Sequence, residues 1–451
     1  MSHPTSIAKG TLSASPLRIP WGWAVAAIAL LTLTMQAQTP DEMAAARQAM
    51  EAKDYPAAEQ LYRKALKQSP TGAEILTDLG LSLQMQGRSA DAMHYYSLAL
   101  RQRYVPETYA LLAQERCRMG DLERLKPMLA KIYREQKDNV RVISAVAPCY
   151  LDVDEPVESV ILYKTLLDTN TYAPDLALVQ LAKSYIRSGQ FFTDKLGKAP
   201  GSEPFMNALR RAADAGSSEA RSAFPEAARV SSYFKPDLDW TAAVHLWQLH
   251  PQDVALLYLL SVLSAEDGMR QIQICSEKFP DSVYLAQFSA DVLADQGQGD
   301  RAIAEYERLI RDHADLSELH YSLGLLHEKR DEWAPALEQF RQQLAAYPGD
   351  ERAAAHVSKC LLQLEEYEAL RDFLSPRMHV ERPPQWASFS LADADQQLGD
   401  TDAAIKILVA VEKEPNADKL VHYRLMHLYT VCGREADAKR EYALFRAAGR
   451  N

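Results

Sequence analysis

Residues 317–348 read SELHYSLGLLHEKRDEWAPALEQFRQQLAAYP, and their spacing decides the fold class. In the first half, His320, Leu323, Gly324 and His327 recur at three- and four-residue intervals, which puts them on one side of a helix. In the second half, Trp333, Ala336, Phe340 and Leu344 do the same. Asp331 lies between the two runs as the expected N-cap, because its carboxylate can accept from the unpaired N–H groups of the next helix. Gly324 has no Cβ, so a partner helix can come close. Pro348 ends the second run, since it lacks an N–H and clashes with the preceding turn. The stretch reads as a helical hairpin with one apolar seam.

The pattern returns along the chain. Leu76, Leu79, Gly80, Leu83, Gly87, Ala92, Tyr96, Ala99 and Leu100 spell an earlier hairpin, in which Tyr96 follows Tyr62 by 34 residues. Downstream, Leu293 and Tyr306 are followed at the same interval by His327 and Phe340, then by Leu361 and Leu374. Leu391, Gly399, Ala404 and Leu408 align likewise with Leu425, Gly433, Ala438 and Tyr442. These offsets resemble the tetratricopeptide repeat (TPR), a 34-residue pair of helices. The resemblance implies an all-α, right-handed superhelical solenoid, and residues 41–451 have length for about twelve antiparallel hairpins of that period.

Four segments follow. Residues 1–40 stand apart, 41–190 form an N-terminal array and 237–451 a C-terminal array, while 191–236 lose the register as an irregular insertion and joint. Gln190–Pro204 (QFFTDKLGKAPGSEP) mixes Gly, Pro and Phe and is expected to be a loop with one helical turn at most. It is either a functional loop or a hinge between two superhelical halves. Two compact hairpins, about 219–250 and 251–279, are expected next. Pro127 and Pro148 should bend their helices, and the Pro-rich 375–384 segment should shift the register. Asp281, Asp300, Asp350 and Asp400 join Asp331 as expected helix caps.

The first 40 residues carry only Lys9 and Arg18 as strong charges, and an apolar run, WGWAVAAIALLTLTM, spans Trp21–Met35. That layout matches a secretory signal peptide with Ala37 near the cleavage point. Met35 fits such a site poorly, so an uncleaved anchor through residues 20–36 stays open. No Cys follows the run, which argues against a lipid-anchored form. On either reading the body of the protein is exported, to the periplasm or cell envelope.

Without that segment 48 basic residues (50 less Lys9 and Arg18) face 61 acidic ones, a net of −13. Such a surface repels phosphate backbones and anionic lipid, so nucleic acid is excluded as a partner class and membrane contact is left to an uncleaved N-terminus. The five cysteines, Cys117, Cys149, Cys275, Cys360 and Cys432, form no CxxC pair, and their odd number leaves at least one unpaired within a chain. Small apolar positions between helices suit most of them.

Catalytic patterns are missing. His313, His320 and His327 fall seven apart, but two occupy places where the repeat has bulky core residues, and zinc helices use His at i and i+4. His422 and His427 point to different faces. No G-x-S-x-G elbow or dinucleotide fingerprint occurs, and Gly197-Lys198 lacks the remaining phosphate-loop residues. Sequence therefore points to no catalytic residue, cofactor or metal, with a metal-dependent hydrolase as a remote alternative.

Binding of a protein or peptide partner is the expected role. The TPR resemblance implies that first helices line a concave groove through offsets 2, 5, 9, 12 and 13 of each unit. Carried onto this chain, these are Tyr284, Gln287, Asp291, Tyr321, Leu325, Arg352, Lys359, Trp386, Phe389, Tyr423 and His427. Aromatics and cations together suit an extended peptide or an exposed partner helix. The two-carboxylate clamp of chaperone-binding TPR domains would fall on Gln287, Asp291, Ser322, Arg352 and His356. Only Arg352 fits it in kind. A second reading makes the protein a membrane-tethered assembly factor that binds through the 190–204 segment, near Phe191 and Phe192.

Overall fold

The computed structural model describes residues 40–448 apart from 69–71, 170–171, 216, 314–315, 317, 379–382 and 414–418. The apolar run at 20–36, and with it the expected signal peptide or anchor, lies outside the described residues. Among the described residues, no helix is long and apolar enough to cross a membrane.

The chain is an all-α helical repeat solenoid in which helices pair in file. α1 (Pro40–Glu51) packs on α2 (Tyr55–Gln68), α3 (Ala73–Met85) on α4 (Ser89–Gln102), and α5 (Pro106–Arg118) on α6 (Leu122–Gln136). Pro127 is carried inside α6. In the fourth pair α7 (Val140–Val146) and α8 (Cys149–Asp152) lie against α9 (Pro156–Asp168), and Pro148 marks the break between the two short pieces. After residue 282 the pairs are α16 (Val283–Asp295) with α17 (Gly299–Asp312), α18 (Glu318–Lys329) with α19 (Trp333–Ala346), and α20 (Glu351–Gln363) with α21 (Tyr367–Met378). α22 (Gln385–Gln397) with α23 (Thr401–Glu412) and α24 (Leu420–Val431) with α25 (Glu435–Ala448) complete the file.

The seam inside each pair has a physical cause that repeats. A Cβ on Gly80 would stand 2.6 Å from the Tyr96 ring, and one on Gly324 would stand 2.7 Å from the Phe340 ring. Glycine therefore lets the large ring of the second helix lie flat on the first. Tyr96 and Phe340 are fully buried as a result. Each pair also covers the next, so Phe340, Val357, Leu361, Leu370, Leu374 and Leu391 form one cluster that runs across three pairs.

The middle of the chain departs from the expectation. Gln190–Pro204 is not a loop: α10 (Pro174–Lys198) runs straight through Phe191 and Phe192 to Lys198. The breakers Gly197, Pro200, Gly201 and Pro204 all sit at the far end of that stretch. Ahead of them, Leu181, Tyr185, Phe192 and Leu196 continue one buried stripe. The 251–279 hairpin is likewise a single helix, α15 (Val254–Lys278), antiparallel to α10. Small residues allow that pairing, with Gly189 against Ser261 and Ser264, and Gly268 against Ala182 and Tyr185. Each helix has 25 residues, a length of about 37 Å.

Between the two, residues 191–236 are mostly helical rather than irregular. They hold α11 (Glu203–Ala215), α12 (Ser217–Ala220) and α13 (Phe224–Val230), and α14 (Trp240–Leu249) follows. The excursion has its own core, in which Phe205 and Phe224 pack on Tyr258 and the Trp240 indole donates to Ser264 Oγ at 2.9 Å. The described residues thus form ten pairs where the repeat length alone implies about twelve, because one long pair with its excursion replaces three.

Two smaller expectations also change. Asp350 and Asp400 cap their helices through backbone N–H groups, but Asp331 takes a left-handed turn with φ of 57° and Glu332 precedes α19. Ser282, not Asp281, caps α16, and Asp300 lies inside the first turn of α17. The 375–384 segment shifts nothing: α18, α20, α22 and α24 begin at 318, 351, 385 and 420, holding the period.

The file curls back on itself. Gly87, in the turn between α3 and α4, meets Gly349, just before α20, backbone to backbone, and neither has room for a Cβ. Cys117 of α5 and Cys149 of α8 are joined as a disulfide, Cys275 and Cys360 are buried, and Cys432 is exposed.

Candidate functional site

The expected groove residues stand on consecutive first helices. Tyr284, Gln287 and Asp291 lie on α16, Tyr321 and Leu325 on α18, and Arg352 and Lys359 on α20. Trp386 and Phe389 follow on α22, and Tyr423 and His427 on α24. Asp291, Leu325, Lys359 and His427 keep a 34-residue period or its multiple, as do Gln287, Tyr321, Phe389 and Tyr423.

Most of their polar atoms are already used to tie neighbouring pairs together. Gln287 Nε2 donates to Ser322 Oγ at 3.2 Å, and Asp291 accepts from Lys183 Nζ at 3.0 Å and from the Tyr306 hydroxyl. Arg352 donates to Glu318 and Asp350, each at 3.0 Å, and its guanidinium lies 4.6 Å over the Tyr321 ring. Burial works to lower the Arg352 pKa, but the Glu318 and Asp350 carboxylates outweigh it and raise the pKa. The Arg352 charge also reaches Asp152 on α8, where it offsets part of the rise that burial imposes on that carboxyl. α8 therefore lies within electrostatic reach of α20.

Further along, Glu328 accepts from Lys359 Nζ at 2.7 Å and pairs with His356 Nδ1 at 2.6 Å. Burial alone would raise the Glu328 pKa, but these two partners bring it below the ordinary value. Lys359 Nζ also sits 5.6 Å from the Trp333 ring centre. Trp386 is half-buried near Glu351, and Phe389 lies 4.9 Å beneath the Arg424 guanidinium, which pairs with Asp393. Leu325 is 38% exposed and Tyr423 48% exposed, and His427 is also exposed. The strip is thus a ladder of polar rungs that opens to apolar and aromatic surface toward the C-terminal end.

A tetratricopeptide repeat model matches residues 49–115, and a second one matches residues 289–351. The chain carries tetratricopeptide repeats in both of these stretches. The second TPR match ends at Glu351 and covers the helices that carry Gln287's neighbours, Tyr321 and Leu325. Solved structures with similar helix stacking include a tetratricopeptide repeat protein from Parabacteroides merdae, 13% identical, covering 71% of this chain and 98% of that one with a TM-score of 0.41. The Pseudomonas aeruginosa pilF structure is 13% identical, covers 50% of this chain and 90% of that one, and has a TM-score of 0.33. The Cut9–Hcn1 hetero-tetramer of the APC/C is 16% identical, with coverages of 90% and 93% and a TM-score of 0.31. No curated protein matches the chain. A TPR array is a protein–protein interaction scaffold in general, and its partner class is protein.

Groups of three ligand atoms close enough to share an ion occur, among the described residues, at Cys117, Cys149 and Asp152 and at Glu412, His422 and Glu441. His313, His320 and His327 form no such group: His320 Nδ1 pairs with Gln339 at 2.8 Å and His327 Nδ1 with Glu332 at 2.6 Å. Sequence reading passed over the Glu412 cluster because its members come from three helices. The available signal was the 19-residue spacing that His422–Glu441 shares with His320–Gln339.

Near the middle excursion an open cleft of about 330 Å³ lies between Asn207, Arg211, Ser222, Glu226 and Arg229. Phe192, the aromatic expected to project from a loop, is fully buried, and Phe191 packs edge-on against Trp247 at 6.0 Å under Lys195. The binding role expected of a 190–204 loop therefore loses its element.

Proposed function

We propose that this TPR protein is a non-enzymatic scaffold of the cell envelope that captures a segment of a partner protein on its first-helix strip. The segment lies over the C-terminal end, across Trp386, Phe389, Tyr423 and His427, with Leu325 as an outlying contact. One observation carries this reading. Arg352, Lys359, Gln287 and Asp291 spend their polar atoms on neighbouring helix pairs, while Tyr423 keeps nearly half its surface open. Tyr and Trp in such positions are the side chains that most often carry binding energy at interfaces. An apolar run ahead of residue 36, an acidic body and a Cys117–Cys149 disulfide suit an oxidising compartment outside the cytoplasm.

Site-specific photo-crosslinking tests the assignment. A crosslinker in place of Tyr423 should trap a defined partner band, and one in place of Arg301, exposed on the second helix α17, should not. Equal trapping at both positions, or trapping only at Arg301, refutes it.

A further inference from the structure

The last three helices repeat the design of three earlier ones in exact register, and the differences between the two sets are chemical. α23, α24 and α25 begin at 401, 420 and 435, each 102 residues after α17, α18 and α19 at 299, 318 and 333. That offset is three TPR periods. In the earlier set His320 Nδ1 meets the neutral amide of Gln339 at 2.8 Å, a clasp between the two helices of one pair. In the last set the same position is His422, and Nδ1 meets the carboxylate of Glu441 at 2.8 Å. Glu412 replaces Ile310 on the preceding helix and brings a second carboxylate to within 3.9 Å of the same nitrogen.

A single Nδ1 proton can satisfy only one of these carboxylates. Arg440, bonded to the other oxygen of Glu441 at 2.8 Å, balances one of the two negative charges. Glu441 is fully buried and Glu412 only partly exposed, so two carboxylates share one imidazole where water screens them incompletely. We propose that Glu412, His422 and Glu441 bind a divalent transition-metal ion of the zinc type, which fastens the final helix pair to the one before it.

The geometry and the donor set agree on this ion. Ligand atoms around a tetrahedral zinc lie about 3.4 Å apart at the usual bond lengths, and the separations of 2.8 and 3.9 Å from Nδ1 bracket that value. One imidazole with two carboxylates favours zinc over magnesium or calcium, which take oxygen alone. Three protein ligands leave a fourth position for water. On binding, the imidazole gives its Nδ1 lone pair to the metal, and any proton there leaves to solvent. Tyr442 and Leu444 of α25 are exposed, so nothing among the described residues covers that face of the pair. A metal clasp there would tie down a pair with exposed apolar surface, beside Tyr423 of the strip.

The test is zinc chloride titrated into the metal-stripped full chain, followed by calorimetry and thermal melting. One equivalent should bind saturably and raise the melting temperature. The key variant is Glu441→Gln, which restores the amide clasp of the earlier repeat and should fold normally. It should weaken zinc binding more than about tenfold and abolish the thermal shift, and Glu412→Gln should do likewise. Absence of zinc binding to the wild type overturns the proposal. So does undiminished binding by Glu441→Gln, which would place the ion elsewhere.

Discussion

Asp78 offers a sharp test of how the first pairs stack. It lies on α3, only 7% exposed, and its Oδ2 has no hydrogen-bond partner. Burial pushes its pKa from 3.8 up to about 7, even though Arg47 of α1 pulls the other way. The folded state therefore prefers the neutral acid. Below about pH 4 the residue carries no ionisation penalty; as pH rises from there to about 7 the unfolded chain ionises first and stability falls; above 7 the loss is complete. A shift of roughly three units corresponds to about 4 kcal/mol in all, with about 2–3 kcal/mol of it between pH 5 and pH 8.

Asp78→Asn removes the titration while keeping the shape. Its extra N–H groups carry a small cost at every pH, so the informative quantity is the change of the difference with pH. Urea unfolding of both proteins should show the variant gaining about 2–3 kcal/mol on the wild type between pH 5 and pH 8. A difference that does not move with pH would refute the reasoning, because Asp78 would then be ionised and paired with Arg47 in the fold.

Phe192→Ala should cost about 3–5 kcal/mol, since the ring is fully buried in the extended part of α10; a surface-like cost under 0.5 kcal/mol, read by urea unfolding, would return the segment to a loop. Reduction of the Cys117–Cys149 bridge, which closes a span of 32 residues, should lower stability by about 3–4 kcal/mol. Non-reducing peptide mapping would show the linked pair, and identical melting with and without reductant would contradict it.

Much of the fold is legible because a TPR hairpin advertises itself locally. Gly80 before Tyr96 and Gly324 before Phe340 are fixed by steric need, and that need survives in the sequence as spacing. The middle was harder for the same reason. α10 and α15 exceed the repeat length, and their contact rests on Gly189, Gly268, Ser261 and Ser264, residues that also read as loop formers. The strip was readable as a set of positions, through the 34-residue period, but not as a state of charge. That Arg352 and Lys359 are occupied by Glu318 and Glu328 depends on how one pair rotates on the next. The Glu412, His422 and Glu441 cluster draws on three helices, so no short window contains it.

The most direct measurement is partner recovery by a variant altered only at open positions of the strip, Leu325→Ala, Tyr423→Ala and His427→Ala together. All three side chains are exposed, so the variant should melt with the wild type. Its affinity for the partner trapped at Tyr423 should fall by at least about 2 kcal/mol, roughly thirtyfold. Wild-type affinity in a variant that melts normally would contradict recognition on the first-helix strip.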